Sequence, residues 1–261
     1  MAGGDPDEAV GDPVDGVVGI VLAAGAGTRL RPLTLERPKA LCPVGDVPLV
    51  DLAVDRVAPF VGAVAVNVHH GRDQLEPHLF ARGDVHVSVE AEEALGTAGA
   101  VGHLRPWIDG RAAAVLNADA WCPDPLTPLV DGWDGSRVRL LLVGADELRP
   151  SVRVAGCLLP WTAMADLPAT PSGLYETCWR PWADRGAVEV VRHDGAFVDC
   201  GTPADYLAAN LAATGGATAA AGAVVEGVAE RCVLWPGAVV PAGEVLRDAI
   251  RTSAGRTVLV R

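Results

Sequence analysis

The chain has 261 residues, 50% of them hydrophobic, with 30 glycines, 20 prolines and a formal net charge of −12; its 21 basic residues are 20 arginines and a single lysine, Lys39. This length suits one full-sized domain with a substantial core and excludes a disordered or fibrous chain. The longest apolar run, Val17 to Gly27, is about half of what a membrane-spanning helix needs, and the acidic balance argues against a nucleic-acid binder, which would carry a basic face. It does not exclude a phosphate site, because net charge sets the surface field and not the chemistry of one pocket.

Met1 to Gly16 carry five acids, no base and two prolines. This segment (1–16) reads as a disordered acidic tail. It lacks the basic start and apolar core of a secretory signal, which predicts a cytoplasmic protein. Val17 to Leu22 is a continuous β-branched run that stops at Ala23-Ala24-Gly25-Ala26-Gly27, the pattern of a buried parallel strand entering a glycine loop. Similar runs at Ala63 to Val68, Ala112 to Leu116 and Val138 to Val143 predict further strands. Leu49 to Ala58 and Asp73 to Ala81 read as helices between them. Alternating strands and helices predict an α/β sheet. Asp205 to Ala213 reads as a helix capped by Thr202 or Asp205.

Composition shifts after Leu211. Ala212 to Gly222 is almost wholly Ala, Gly and Thr, which predicts a linker. Beyond it Val233, Val239 and Val245 recur six residues apart, as do Leu234, Val240 and Leu246. That period fits the rungs of a parallel β-helix over 223–261, with an ordinary hairpin pair as the alternative. The six cysteines lie far apart without a C-x-x-C pair and read as buried reduced thiols.

The segment Leu22 to Val44 carries the most chemistry. Gly25 and Gly27 follow a strand, so backbone N–H groups can approach an anion with no Cβ in the way. No Gly-Lys-Ser/Thr follows, and Arg29-Leu30 stands where a dinucleotide fingerprint has its third glycine. Arg29, Arg31, Arg37 and Lys39 crowd into eleven residues opposed only by Glu36, which points to a polyanionic ligand. A chain that uses arginine so heavily places its one lysine beside Pro38 and apolar Ala40-Leu41. A compact ammonium that reaches one oxygen is what distinguishes Lys from Arg, so Lys39 is a candidate site residue, with a solvated surface position as the alternative.

Gly25-Ala-Gly-Thr-Arg29 followed by Pro38-Lys39 resembles the signature of the sugar-1-phosphate nucleotidyltransferases (NDP-sugar pyrophosphorylases). The resemblance continues at Glu93-Ala-Leu-Gly-Thr-Ala-Gly99, Asn117-Ala-Asp119 and Asp199-Cys-Gly-Thr-Pro203. It spans Val17 to about Leu211 and makes 17–211 the nucleotidyltransferase domain. It implies a Rossmann-like mixed, mostly parallel sheet flanked by helices. The six-residue repeat matches the left-handed β-helix tail that some members carry.

The implied reaction joins an NTP and a sugar 1-phosphate, giving an NDP-sugar and pyrophosphate by in-line attack on the α-phosphorus, with catalysis by positioning and charge. By resemblance, Leu22, Ala23, Ala24, Gly25, Ala26, Gly27, Thr28 and Arg29 bind the nucleotide, with Gly96 and Thr97 against base and ribose. Arg29 serves the leaving pyrophosphate, and Lys39 the α-phosphate and the sugar phosphate. Asp119 is catalytic, and with Asp199 it holds Mg²⁺. Taken alone, each aspartate also suits a cap or turn. On the sugar side the resemblance weakens. Relatives carry Glu-Lys-Pro where this chain has Glu147-Leu-Arg149-Pro150, so Arg149, Gly156 and Glu176 are the sugar-binding candidates. Asn67, His69 and His70 end the second strand; adjacent residues on a strand face opposite sides, so the histidines are not expected to share a metal.

Leu95-Gly-Thr-Ala-Gly99 and the tail favour the mannose-1-phosphate guanylyltransferase branch. The alternatives are a uridylyl- or thymidylyltransferase acting on a glucose or amino-sugar phosphate, or an inactive nucleotide-sugar-binding regulator. Neither nucleic acid nor membrane is an expected partner, and homo-oligomerisation is left open.

Overall fold

The computed structural model describes residues 16–260; the acidic tail lies outside them but for Gly16. Seven strands form the central sheet: β1 (Val17–Leu22), β2 (Val64–Val68), β3 (Val85–Val89), β4 (Ala112–Asn117), β5 (Val138–Val143), β6 (Val154–Leu159) and β7 (Val188–His193). Their order is β7-β5-β6-β4-β1-β2-β3. β6 runs antiparallel to both neighbours, and every other pairing is parallel. The mixed, mostly parallel α/β sheet is therefore present. β1 and β2 are buried nearly throughout, as valine-rich strands are when both faces of the sheet are covered. One apolar cluster holds Val21, Val66 and Leu116, and a second on the other face holds Ile20, Ala65 and Val115.

Helices α1 (Leu49–Val57) and α2 (Arg72–Arg82) lie close to their sequence expectation. Helix α3 (Gly96–His103) does not follow from composition. Its glycines are poor helix formers, yet a Cβ at Gly99 would stand 2.2 Å from the Thr170 carbonyl oxygen and one at Gly102 2.4 Å from that of Pro168. Close packing of backbone on backbone selects glycine there. Strands β3 and β7 also escape pattern reading, because as edge strands they are mostly half-buried and lack a continuous apolar run. Helix α4 (Pro203–Ala213) starts two residues before the sequence estimate. Thr202 caps it, its hydroxyl oxygen accepting from the Asp205 N–H at 3.2 Å, and Pro203 takes the first-turn position where no amide donor is needed.

The C-terminal residues wind into a short coil of parallel strands. Val224 pairs with Val239, Val228 with Val245 and Val233 with Ile250, and Ala249–Arg251 then pairs antiparallel with Thr257–Leu259. Parallel pairing fits the β-helix-like reading rather than a plain hairpin pair, except at this last turn. The two six-residue series part company: Leu234, Val240 and Leu246 are buried, whereas Val239 and Val245 face outward. Ala219 already bridges to Val233, so the coil begins inside the stretch that composition marks as a linker. No described helix is long and apolar enough to cross a membrane.

The coil docks against the segment that carries Lys39. Trp235 and Ile250 share an apolar cluster with Leu30, Leu33, Cys42, Val44 and Tyr206. The Trp235 indole N–H donates to the Tyr206 hydroxyl at 3.0 Å, and that hydroxyl donates to the Pro43 carbonyl. Arg37 lies over the Trp235 ring at 4.7 Å. Glu36 accepts from the Thr252 hydroxyl at 3.0 Å and from Arg256 at 2.9 Å. Desolvation pushes its carboxyl up, but these bonds outweigh it and hold the group below its usual value. Trp235→Ala is expected to cost about 3–5 kcal/mol, the range for emptying a buried aromatic site, as measured by urea unfolding. A loss below about 1 kcal/mol would mean that the coil does not brace this segment.

Candidate active site

Leu22, Asn67 and Asn117 are register neighbours at the carboxyl ends of β1, β2 and β4. Loops leaving parallel strands at one edge emerge side by side, which is where open α/β sheets bind ligands. A cleft of about 300 Å³ opens there, walled by Leu22, Ala23, Ala24, Gly25, Gly27, Thr28, Arg29, Lys39, Gly96, Thr97 and Asp119, among others. The glycine loop turns at Gly27, whose φ is +59°. A Cβ there would lie 2.9 Å from Thr34 Cγ2 and 3.0 Å from Lys39 Cβ, so conformation and space both demand glycine. Ala26 is exposed and is absent from the cleft wall.

Lys39 is buried. Its Nζ donates to Asp119 Oδ2 at 2.9 Å and to Asp199 Oδ1 at 3.3 Å. The reading of Lys39 as a solvated surface residue is thus excluded. Asp119 and Asp199 come from distant parts of the chain and are aligned by one short ladder. Ala120–Trp121 pairs with Val198–Asp199, and the Cys200 N–H donates to the Asp119 carbonyl at 3.0 Å. The Arg29 guanidinium stands 3.7 Å from Asp199 Oδ2, exposed to solvent, and crosses beside Gly201. Beneath this group Cys42 and Cys200 are buried, which pushes both thiols up to about 12. They stay protonated and leave Lys39 to the carboxylates.

Of the four crowded cations, only Arg29 and Lys39 face the cleft. Arg37 is taken by Trp235, and Arg31 is exposed off the cleft wall. The histidines meet edge to face, with ring centroids 4.6 Å apart, and bond to different carbonyls: His69 Nδ1 meets that of Glu90 at 2.7 Å and His70 Nδ1 that of Ala24 at 2.9 Å.

The sugar-binding candidates do not gather at this cleft. Gly156 is buried against leucines, with an added Cβ meeting Leu129 at 3.2 Å and Leu126 at 3.6 Å. Core packing alone is enough to favour a residue without a side chain there. Arg149 pairs with Glu147 at 2.8 Å in a separate polar depression at the end of β5. Glu176 is exposed and folds back over Gly173.

Two residues of the site are given no role by sequence pattern, although Asn67 is noted at the end of its strand. Asn67 Oδ1 accepts from the Ala23 N–H at 2.7 Å, and its amide donates to Glu90 Oε1 at 2.6 Å. Glu90, also buried, accepts from the Leu95 N–H at 2.8 Å with its other oxygen. This chain of bonds ties the start of the glycine loop to the loop that opens α3. Thr97, on the facing wall, accepts from the Leu174 N–H at 2.8 Å. The only available signal for Glu90 was its place just after the alternating valines of Val85–Val89.

A glycine loop, a lysine between two aspartates and a position at the carboxyl edge of a mostly parallel sheet define a nucleotide-binding transferase site. Residues 18–145 match the nucleotidyl transferase family model. The N-acetylmuramate alpha-1-phosphate uridylyltransferase of Caulobacter vibrioides is 34% identical over 230 residues, covering 74% of this chain and 95% of that protein. The mannose-1-phosphate guanylyltransferase regulatory subunit alpha of Xenopus tropicalis is 29% identical over 154 residues, 54% of this chain and 37% of that one. In fold, a putative glucose-1-phosphate thymidylyltransferase from Bacillus anthracis superposes with a TM-score of 0.61 at 19% identity, over 76% of this chain and 95% of the other. The chain belongs to the nucleotidyl transferase family, and within it to the sugar-1-phosphate nucleotidyltransferases.

Replacing Glu90 by Gln puts an amide donor against either Asn67 or the Leu95 N–H. The loss is expected to be about 1–3 kcal/mol of stability, the cost of an unsatisfied buried group, together with a raised KM for the nucleotide. Wild-type unfolding and unchanged KM would show that the carboxylate does not tie the two loops.

Proposed function

We propose that the chain transfers a uridylyl group from UTP to the 1-phosphate of an N-acetylated amino sugar. The choice of base and sugar rests on the Caulobacter uridylyltransferase, whose length this chain covers almost entirely. The second reading is GTP with mannose 1-phosphate, favoured by Leu95-Gly-Thr-Ala-Gly99 and by the Xenopus relative. For either pair, the observation that carries the mechanism is the buried Lys39 ammonium between Asp119 and Asp199.

In this reading an oxygen of the sugar phosphate attacks the α-phosphorus in line, and the bond to pyrophosphate breaks. The backbone from Gly25 to Thr28 receives the triphosphate. Arg29 reaches the departing pyrophosphate from the solvent side, and Lys39 neutralises the oxygens of the α-phosphate and the sugar phosphate. Two anions meet only where fixed positive charge has been desolvated in advance. Ala23, Ala24 and Leu22 line the floor, and Gly96 and Thr97 face the base and ribose.

Asp119 and Asp199 fit a hard divalent cation. Both carboxylates are part-exposed, converge on one ammonium and rise from a shared ladder. When bound there, Mg²⁺ supplies charge neutralisation at phosphate oxygens.

Pyrophosphate release should be measured for a panel of NTPs crossed with sugar 1-phosphates in the presence of Mg²⁺. UTP with an amino-sugar phosphate is expected to give the highest kcat/KM; preference for another pair would overturn the substrate assignment. Lys39→Arg is expected to lose about 10²-fold or more in kcat, the scale of removing one preorganised charge contact, because the larger, delocalised guanidinium cannot set a compact point charge in the buried space that the ammonium fills. Normal kinetics in that variant would refute the role given to the lysine. Asp119→Ala should abolish Mg²⁺-dependent turnover while circular dichroism stays native; retained turnover would remove Asp119 from the ligand set.

A further inference from the structure

Just beyond the aspartate ladder, three side chains converge on one point. Cys122 follows the strand Ala120–Trp121, Asp124 lies two residues on, and His193 closes β7. Cys122 Sγ is 3.5 Å from His193 Nε2, Asp124 Oδ2 is 3.5 Å from the same nitrogen, and all three donor atoms lie within 4.8 Å of one another. Tetrahedral zinc, with bonds of about 2.0–2.3 Å to nitrogen, oxygen and sulfur, sets its ligands roughly 3.3–3.6 Å apart.

Three features separate this cluster from ordinary packing. The first is that Asp124 Oδ2 is shut off from solvent and accepts no hydrogen bond, a costly state for a carboxylate oxygen. The second is Gly195, where a Cβ would stand 1.8 Å from Asp124 Oδ2 and 2.9 Å from His193 Cε1, so glycine alone keeps the space open. The third is Cys122 itself, half-buried where the other five cysteines are buried, and lining a surface cavity with Arg56 and Trp121.

A cysteine nucleophile with a histidine base is the rival reading, and the geometry opposes it. In such a triad the carboxylate holds the far ring nitrogen, whereas here sulfur and carboxylate both face Nε2. Burial pushes the Cys122 thiol up, which disfavours a free thiolate. The Arg56 guanidinium, which donates to the Asp124 carbonyl at 2.8 Å, partly offsets that by its charge beside Cys122 and Asp124.

From this convergence we infer that Cys122, Asp124 and His193 form a second metal site, specific for a thiolate-preferring divalent cation of the zinc class, and separate from Asp119 and Asp199. The Ala196 carbonyl, 3.5 Å from Nε2, or a solvent molecule completes the set. A cation there would clip the Cys122 loop to the turn between β7 and Val198–Asp199. It would thereby hold the short ladder of Ala120–Trp121 and Val198–Asp199 that aligns the active-site aspartates.

The test is titration of the chelator-treated, full-length reduced protein with Co²⁺. One equivalent is expected to give a thiolate-to-cobalt charge-transfer band, bleached by Zn²⁺. The band should vanish in Cys122→Ser and in His193→Gln, and persist in Asp119→Asn, which separates this site from the active-site cation and makes its failure independent of the substrate reading. Zn²⁺ should raise the unfolding midpoint of the wild type and not that of Cys122→Ser. Absence of the band in the wild type, or its survival in Cys122→Ser, would overturn the assignment. If Cys122→Ser does not fold, His193→Gln decides by the same criterion.

Discussion

The site is organised around one buried ammonium. Taking a charge out of water costs several kcal/mol unless partners repay it, and Lys39 is repaid by two carboxylates that keep part of their hydration. That asymmetry suits a binding site, since the cation is enclosed and desolvated while its counter-ions remain reachable from the cleft. An arginine spreads its charge over a larger planar group, whereas the compact lysine ammonium sets a single point charge in the small buried space between Asp119 and Asp199. In a chain with 20 arginines, this constraint gives a reason for the one lysine.

Everything around Lys39 fixes where its amine stands. From one side, the left-handed turn at Gly27 packs on the lysine Cβ. From the other, the coil presses Trp235, Thr252 and Arg256 against the segment that leads to it. The coil is thus part of the support of the site. Beneath the cleft, Asn67 and Glu90 couple the phosphate loop to the loop before α3 through buried hydrogen bonds. Such fully paired polar groups rigidify a core, because moving either loop would leave one of them unsatisfied.

Much of the fold was legible in the sequence where burial was complete, with the exception of β6, which is equally buried but whose apolar run is interrupted at Gly156. β1, β2, β4 and β5 are predominantly apolar runs because both faces are covered, and α1, α2 and α4 lie close to their expected ranges. Edge strands and the glycine-rich α3 were not legible. Their burial is partial or their packing is backbone on backbone, and neither leaves a side-chain period. In the site, the glycine loop, Arg29, Lys39, Asp119 and Asp199 were found by motif, and the chain brings them together. The sugar candidates were not found so well. Gly156 is a packing glycine, and Arg149 answers Glu147 in a different depression. A motif that has lost its lysine no longer marks a position in space.

By itself the sequence determined the local chemistry: a strand entering a glycine turn, a single lysine after proline, and two motif aspartates. Of the two aspartates, Asp119 follows an apolar strand and Asp199 precedes a Gly-Thr-Pro turn; such features follow from short-range stereochemistry and from the burial each residue type requires. Tertiary structure alone decided which charges meet. Arg37 is drawn to Trp235 and Glu36 to Arg256, while Asp119 and Asp199, 80 residues apart, close on Lys39. The same holds for Cys122, Asp124 and His193, whose spacing carries no metal signature until β7 returns beside the Cys122 loop. Long-range pairing of charges depends on sheet order and strand register, which no local pattern encodes.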